Sequence, residues 1–313
     1  LKKPLLIVVL GHTAAGKTAF AAGLAKETDG EIISADSRQV YRGMNLGTGK
    51  DYDDYIVNGE KINVHLIDIA DPGYEYNVFE YQRDFIRTWH DIRGRKKQVV
   101  LCGGTGLYLD AVLKKYSLIN VPLNKELREE LSDKSIGELT KILLSFKKLH
   151  NTTDTVNRKR LIRAIEIETF VRNHSAPEQE FPDFNSLVFG IRYNREERRN
   201  RITQRLKDRL KEGMIEETEA LVKSGVSLET LVFYGLEYKY LAWYLQGKLN
   251  YYEMFEGLNT AIHQFAKRQM TWFRKMEREG VKIHWLEGES SREGKIRFAM
   301  KVIEEYYPQE EGY

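Results

Sequence analysis

One short stretch, Gly11-His12-Thr13-Ala14-Ala15-Gly16-Lys17-Thr18, constrains this chain more than any other. It follows an apolar run at residues 5–10 and precedes a helical pattern at residues 19–26. The spacing G-x-x-x-x-G-K-[ST] in a strand–loop–helix setting is that of a phosphate cradle. Glycines let the backbone wrap closely, so several N–H groups aim at one anion. The following helix adds its N-terminal partial positive charge. Lys17 supplies a full charge, and Thr18 offers a hydroxyl to a magnesium ion. All of Gly11, His12, Thr13, Ala14, Ala15, Gly16, Lys17 and Thr18 are therefore expected at a bound phosphate. Such a loop names a ligand class, not a reaction; kinases and NTPases use it equally.

Further apolar runs at residues 31–34, 64–67, 98–102 and 187–191 read as buried parallel strands, and residues 281–286 as an edge strand. Their alternation with helical patterns predicts an α/β fold with a P-loop NTPase-like parallel sheet. Past residue 120 strand signals vanish, and charged helical stretches run over residues 125–131, 136–149 and 156–172. The expectation is a helical insertion domain at residues 120–183. Residues 1–119 and 184–313 then form the core, with a helical C-terminal region over residues 195–223 and 251–279. Residues 173–182, polar and with two prolines, read as the exit linker. Residues 304–311 are acidic and expected in solvent.

Composition excludes several classes. With 42% hydrophobic and 30% charged residues among 313, the chain can bury a core and keep a wet surface, so disorder is not expected. No run reaches the length of a membrane span. The N-terminal lysines lead straight into the strand that the phosphate loop needs, which argues against a signal peptide. The single cysteine, Cys102, permits no disulfide framework and lies in an apolar run as a core residue. A reduced, cytoplasmic setting without a membrane partner follows.

Asp36 stands just after the second strand. Open parallel sheets bind ligands at the carboxyl ends of their strands, so this carboxylate could take a proton from a nucleophile near the loop. Capping of the next segment is the competing role. His65 reads as a satisfied, partly buried histidine. Asp68 and Asp71 fit either a magnesium site or a structural role. The net charge is only +3, but basic residues cluster. One cluster runs from Arg192 through Arg195, Arg198, Arg199, Arg201, Arg205, Lys207 and Arg209 to Lys211. A second holds Arg158, Lys159, Arg160 and Arg163, and a third Lys267, Arg268, Arg274 and Lys275. Such clusters suit a nucleic-acid backbone; ion-paired helix faces are the alternative. Tyr234, Tyr238, Tyr240, Trp243, Trp272 and Phe273 could stack on bases, although core packing is the simpler role.

A set of blocks in order along the chain carries a resemblance. They are Ile33-Ser34-Ala35-Asp36-Ser37-Arg38-Gln39-Val40-Tyr41-Arg42-Gly43-Met44 with Gly47-Thr48-Gly49-Lys50; His65-Leu66-Ile67-Asp68 with Asp71-Pro72; Gly103-Gly104-Thr105-Gly106-Leu107-Tyr108; Arg160 with Arg163-Ala164-Ile165-Glu166; and Ala266-Lys267-Arg268-Gln269-Met270-Thr271-Trp272-Phe273-Arg274. Together they resemble the tRNA dimethylallyltransferase (tRNA isopentenyltransferase) family over nearly the whole chain. The resemblance implies transfer of a dimethylallyl group from dimethylallyl diphosphate to N6 of the tRNA adenosine on the 3′ side of the anticodon. It implies Asp36 as general base, with Thr13, Lys17, Thr18 and Arg201 or Arg205 at the diphosphate, and Mg2+ on Thr18. It implies tRNA contacts from Asp36, Ser37, Arg38, Gln39 and Thr105, and from Arg128, Lys159, Arg160, Leu161, Ile162 and Arg163 in the insertion. A monomer is the default expectation.

The chain also departs from the family pattern. His12 and Ala15 replace the usual Pro and Ser, and Gly49 and Asp51 the usual Ala and Pro around Lys50. Ile262-His263 stands for Thr-Arg, and Lys159 for Gln. No Cys/His zinc finger follows the core, so the bacterial type is expected. A small-molecule or nucleotide kinase, a non-catalytic RNA-binding protein and prenylation of free adenine nucleotides remain as alternatives at this stage.

Overall fold

The computed structural model describes residues 3–146, 157–174 and 180–306. In chain order its elements begin with β1 (Leu5–Gly11), α1 (Lys17–Glu27), β2 (Gly30–Ser34), β3 (Ile56–Val57), β4 (Glu60–Lys61) and β5 (Val64–His65). Next come α2 (Val78–Gly94), β6 (Gln98–Gly103), α3 (Gly106–Leu113), α4 (Lys125–Glu130), α5 (Ile136–Phe146) and α6 (Arg158–Asn173). The chain continues with β7 (Asn185–Arg192), α7 (Arg195–Lys211), α8 (Met214–Lys223), α9 (Leu228–Leu231), α10 (Leu236–Leu245), α11 (Tyr251–Arg278), β8 (Ile283–Glu287) and α12 (Arg292–Tyr306). The backbone divides into two compact units, Leu1–Tyr116 with Phe181–Tyr313, and Ser117–Glu180.

The first unit is built on a six-stranded sheet in the order β5-β2-β6-β1-β7-β8. Every pairing in it is parallel. β1 is buried along its whole length, as a central strand covered on both faces must be. Its side chains alternate between two cores. Leu6, Val8 and Leu10 join Tyr81, Phe85 and Trp89 of α2 and Phe273 and Met276 of α11. Leu5, Ile7 and Val9 join Phe20 and Leu24 of α1 and Ala299 of α12. β1 lies between β6 and β7, where successive connections leave to opposite sides. That topological switch opens a crevice at the carboxyl ends of the strands, where the phosphate loop sits.

In the second unit α4, α5 and α6 pack around Leu131, Leu139, Leu143, Leu161 and Ile165. Buried Glu166 is its polar centre and accepts from Arg128, Arg163 and the Asn124 N–H. The Arg158 guanidinium donates to the carbonyls of Leu131 and Lys134.

The structure differs from the sequence reading in three places. The strand expected over residues 64–67 stops at His65, because Leu66 and Asp68 both turn to positive φ. The helix expected over residues 195–223 breaks at Gly213, whose φ is +101°, and becomes α7 and α8. Residues 224–250, where no element was expected, hold α9 and α10. Residues 147–149, Val156, residues 175–179 of the linker and residues 307–311 lie outside the described residues. No helix among the described residues is long and apolar enough to cross a membrane.

Candidate active site

The phosphate loop leaves β1 and enters α1 at Gly16, whose φ of +74° is left-handed and suits glycine. Lys17 Nζ donates to the His12 carbonyl at 2.9 Å, which folds the side chain back over the loop. Burial pulls the Lys17 pKa down, while Cys102 and Asp36 oppose the shift. His12 is fully buried, with Nδ1 2.6 Å from the Thr13 carbonyl. Its pKa falls to about 4, first by burial and then by the charges of Lys17, Arg198 and Arg201. The ring is thus neutral near neutral pH, and Nδ1 must donate. Thr18 sits half-buried in the first turn of α1.

Across the crevice, the segments after β2 and β6 are laced together. The Ala35 N–H donates to the Cys102 carbonyl at 2.7 Å, the Thr105 N–H to the Ala35 carbonyl at 3.2 Å, and the Ser37 N–H to Thr105 Oγ1 at 3.0 Å. Asp36 is half-buried. Its Oδ1 accepts the Arg38 N–H at 2.9 Å, so the carboxylate does cap its own turn. One oxygen fixes the side chain; Oδ2 accepts no hydrogen bond among the described residues. Gln39 Nε2 donates to the Gly49 carbonyl at 2.9 Å, and the Arg38 guanidinium lies 5.6 Å over the exposed ring of Phe233.

Helix α7 supplies the positive wall. Its arginines at 201, 205 and 209 follow a spacing of four, which puts them on one face. Arg201 Nε donates to the Ala14 carbonyl at 3.2 Å, and its guanidinium stacks 4.7 Å over Tyr193. Arg205 Nη1 lies 3.4 Å from Thr13 Oγ1. Arg205 and Arg209 share Asp51, at 2.6 and 2.8 Å. Glu237 lines a pocket with Thr13, Arg205 and Arg209, and burial pushes its carboxyl above the usual range.

Four residues hold this arrangement in ways that sequence reasoning did not assign to them. Gln269 accepts the Thr13 N–H at 2.8 Å and donates to the Gly104 carbonyl at 2.9 Å, tying the phosphate loop to the segment after β6. Glu217 accepts the N–H groups of Asn45, Leu46 and Gly47 and the Tyr238 hydroxyl, which sets the loop carrying Gly49. Arg209 and Asp51 complete the set. The spacing of four from Arg201 was the available signal for Arg209.

Other expected residues have different surroundings. Lys159 and Arg160 are exposed on α6 and Ile162 is half-buried. Leu161 is wholly buried, so its side chain packs the second unit instead of reaching solvent. Arg128 and Arg163 are ion-paired to Glu166. Asp68 pairs with Lys50 and accepts from Tyr52, and Asp71 pairs with Arg42, so both are engaged by side chains. His65 meets Glu31 at 2.6 Å. Burial pushes the Cys102 thiol up to about 12, consistent with an inert core residue. Tyr234, Tyr238 and Phe273 are core; the Trp272 indole donates to Asp110.

Residues 39–276 match the family described as IPP transferase. A Bacteroides fragilis protein named tRNA dimethylallyltransferase 2 is 58% identical, over 96% of this chain and 98% of its own length. The full-length tRNA isopentenylpyrophosphate transferase of Bacillus halodurans superposes with a TM-score of 0.68 at 29% identity, over 96% of both chains. A eukaryotic dimethylallyltransferase acting on tRNA superposes with a TM-score of 0.76 at 22% identity, over 96% of this chain and 80% of that one, which speaks to the fold alone. With half or more of its residues shared with such a relative along almost its entire length, and the family match running from the segment after β2 through α11, the chain belongs to the tRNA dimethylallyltransferase family.

Proposed function

We propose that the chain transfers the dimethylallyl group of dimethylallyl diphosphate to N6 of a tRNA adenosine, the one on the 3′ side of the anticodon, and releases diphosphate. The observation that carries the mechanism is the pairing of a cationic loop with a carboxylate across one crevice. Lys17 and Arg205 line the loop side, and Asp36 lies at the end of β2 with one oxygen fixed.

The adenine N6 lone pair is delocalised into the ring, so attack needs help at both ends. As the N6–C bond forms, the allylic C–O bond breaks and its electron pair passes to the diphosphate. The N6 proton passes to the Asp36 carboxylate; such a base contributes about 10²–10⁴-fold. Negative charge grows on the departing diphosphate, and the loop N–H groups, Lys17 and Arg205 are suited to meet it. Arg201 closes the end of the loop by its bond to Ala14. The adenosine must leave its stack to reach Asp36. Ser37, Arg38, Gln39 and Thr105 surround that carboxylate and are the proposed contacts to the base and its neighbours. Lys159 and Arg160, exposed on α6, are proposed phosphate contacts of the insertion, with Arg128 and Arg163 holding its helices.

A magnesium ion fits the donor set in one way. Among the described residues no group of three or more His, Cys, Asp or Glu side chains could hold a metal. Thr18 together with diphosphate oxygens and water is a donor set that magnesium accepts. When bound there it would offset charge on the leaving oxygens.

The test is Asp36→Ala. Turnover with saturating donor and unmodified tRNA is expected to fall about 10²–10⁴-fold while tRNA affinity stays near that of the parent. An equal loss in affinity and turnover would assign Asp36 to binding.

A further inference from the structure

Gly49 and Asp51 meet at the same pair of guanidinium groups. Asp51 Oδ2 accepts from Arg205 Nη2 at 2.6 Å, and Asp51 Oδ1 from Arg209 Nη2 at 2.8 Å. Arg209 is nearly buried, and its Nη1 donates to the Leu46 carbonyl. Gly49 lies directly beside both groups. A Cβ there would stand 3.0 Å from Arg205 Nη2 and 3.0 Å from Arg209 Nη1, and its φ of +80° already favours glycine. An alanine at 49 would crowd the guanidinium groups, and a proline at 51 could not bind them.

We infer that Asp51 is a positioning residue for donor binding: it grips Arg205 by one edge so that the other edge stays turned to the phosphate loop, and Gly49 is the vacancy that makes the grip possible. The chemistry follows from the fork of the guanidinium. Nη2 is held by the carboxylate, which leaves Nη1 at 3.4 Å from Thr13 Oγ1. A free arginine side chain holds considerable rotamer entropy. Held in advance, Arg205 surrenders less of it when the donor's diphosphate arrives. Arg209 braces the carboxylate from behind and is itself fixed to the loop that carries Gly49. Gly49 and Asp51 therefore act as one unit in holding Arg205.

The inference rests on the proposed role of Arg205 at the diphosphate, and the experiment separates the two. Full-length protein is prepared as Asp51→Asn, Asp51→Glu, Gly49→Ala, Gly49→Ala with Asp51→Asn, and Arg205→Ala. For each, KM for donor, KM for tRNA and kcat are measured, with the Kd for inorganic diphosphate by calorimetry and a thermal melt. Asp51→Asn is expected to raise donor KM and the diphosphate Kd about tenfold, with tRNA KM unchanged. Asp51→Glu should recover most of that loss. Gly49→Ala should match Asp51→Asn, and the double variant should be no worse than either. Multiplying losses, or an Asp51→Asn enzyme with parental donor KM beside a weakened Arg205→Ala enzyme, would overturn the positioning role. A parental donor KM in Arg205→Ala would instead remove the diphosphate reading beneath it. If Asp51→Asn melts early, Asp51→Glu and Gly49→Ala decide: parental diphosphate affinity in Gly49→Ala contradicts the inference.

Discussion

Arg201, Arg205 and Arg209 on α7 and Arg158 and Arg163 on α6 come from equally basic runs, yet they are bound to different things. On α7 the guanidinium groups reach the carbonyl of Ala14, the hydroxyl of Thr13 and the carboxylate of Asp51, all around the phosphate loop. On α6 and its neighbours they reach Glu166 and the carbonyls of Val121, Leu131 and Lys134, all inside the second unit's own packing. Charge density is thus a poor guide to role. What separates the two is whether the partner belongs to a ligand-binding loop or to the helices themselves.

The sharpest way to break that comparison is at Glu166. Replacing it with alanine removes a buried carboxylate shared by Arg128, Arg163 and the Asn124 N–H, and should destabilise the second unit by about 3 kcal/mol, the low end for a buried pair because both arginines are partly exposed. Hydrogen exchange should report faster opening of α4 to α6 with parental protection of the sheet; uniform protection would contradict the structural role. Arg205→Ala should act in the opposite way. A loss of about 10²–10³-fold in kcat/KM for the donor is expected, with no change in hydrogen exchange. An unchanged donor kcat/KM would place Arg205 with the structural arginines.

Acid should separate the regions as well. The His12 pKa is lowered by burial to about 4, from the ordinary 6.5. The unfolded chain therefore binds the extra proton first, and this stability is complete above pH 6.5 and lost as pH falls towards 4. At pH 5 the loss should be about 2 kcal/mol. For Glu166 burial pushes up, but Arg128, Asn124 and Arg163 together hold it below the usual carboxylate value of 4.5. Its contribution is present above 4.5 and fades as pH falls through the folded value. The phosphate-loop region should loosen between pH 6.5 and 4, before the insertion does. His12→Asn should flatten the first step, as followed by unfolding at pH 7 and pH 5. A wild-type stability that does not change between pH 7 and 5 would contradict a buried neutral His12. The smallest effects belong to Lys159→Ala and Arg160→Ala. Each should weaken tRNA binding a few-fold and reduce its salt slope by about one, with donor KM unchanged.

Much of the sheet was legible because its strands are short, apolar and buried on both faces, as β1, β2, β6 and β7 are. Legibility failed where the backbone decides instead of the pattern. Leu66 and Asp68 end a strand by turning to positive φ, against the apolar run they continue. Gly213 splits a helix whose charge pattern runs on through it. At the candidate site, the roles proposed for Lys17, Thr18 and Asp36 could be read because they are tied to local motifs. Gln269 and Glu217 could not, since each acts on backbone groups far away in sequence, and neither glutamine nor glutamate carries a signal for that. Asp51 could be noticed only as a departure; its two arginine partners appear only once α7 is packed over the loop.

The central claim is that the loop holds a leaving group while the carbon chain departs to the base. Mass analysis of unmodified tRNA incubated with the protein, magnesium and dimethylallyl diphosphate tests it most directly, with AMP, ADP and ATP as parallel acceptors. One dimethylallyl unit on an adenosine of tRNA, matched by released diphosphate and with little product on free nucleotides, is the expected result. No gain of mass on tRNA, a preference for free nucleotides, or ATP-dependent phosphorylation in its place would contradict it.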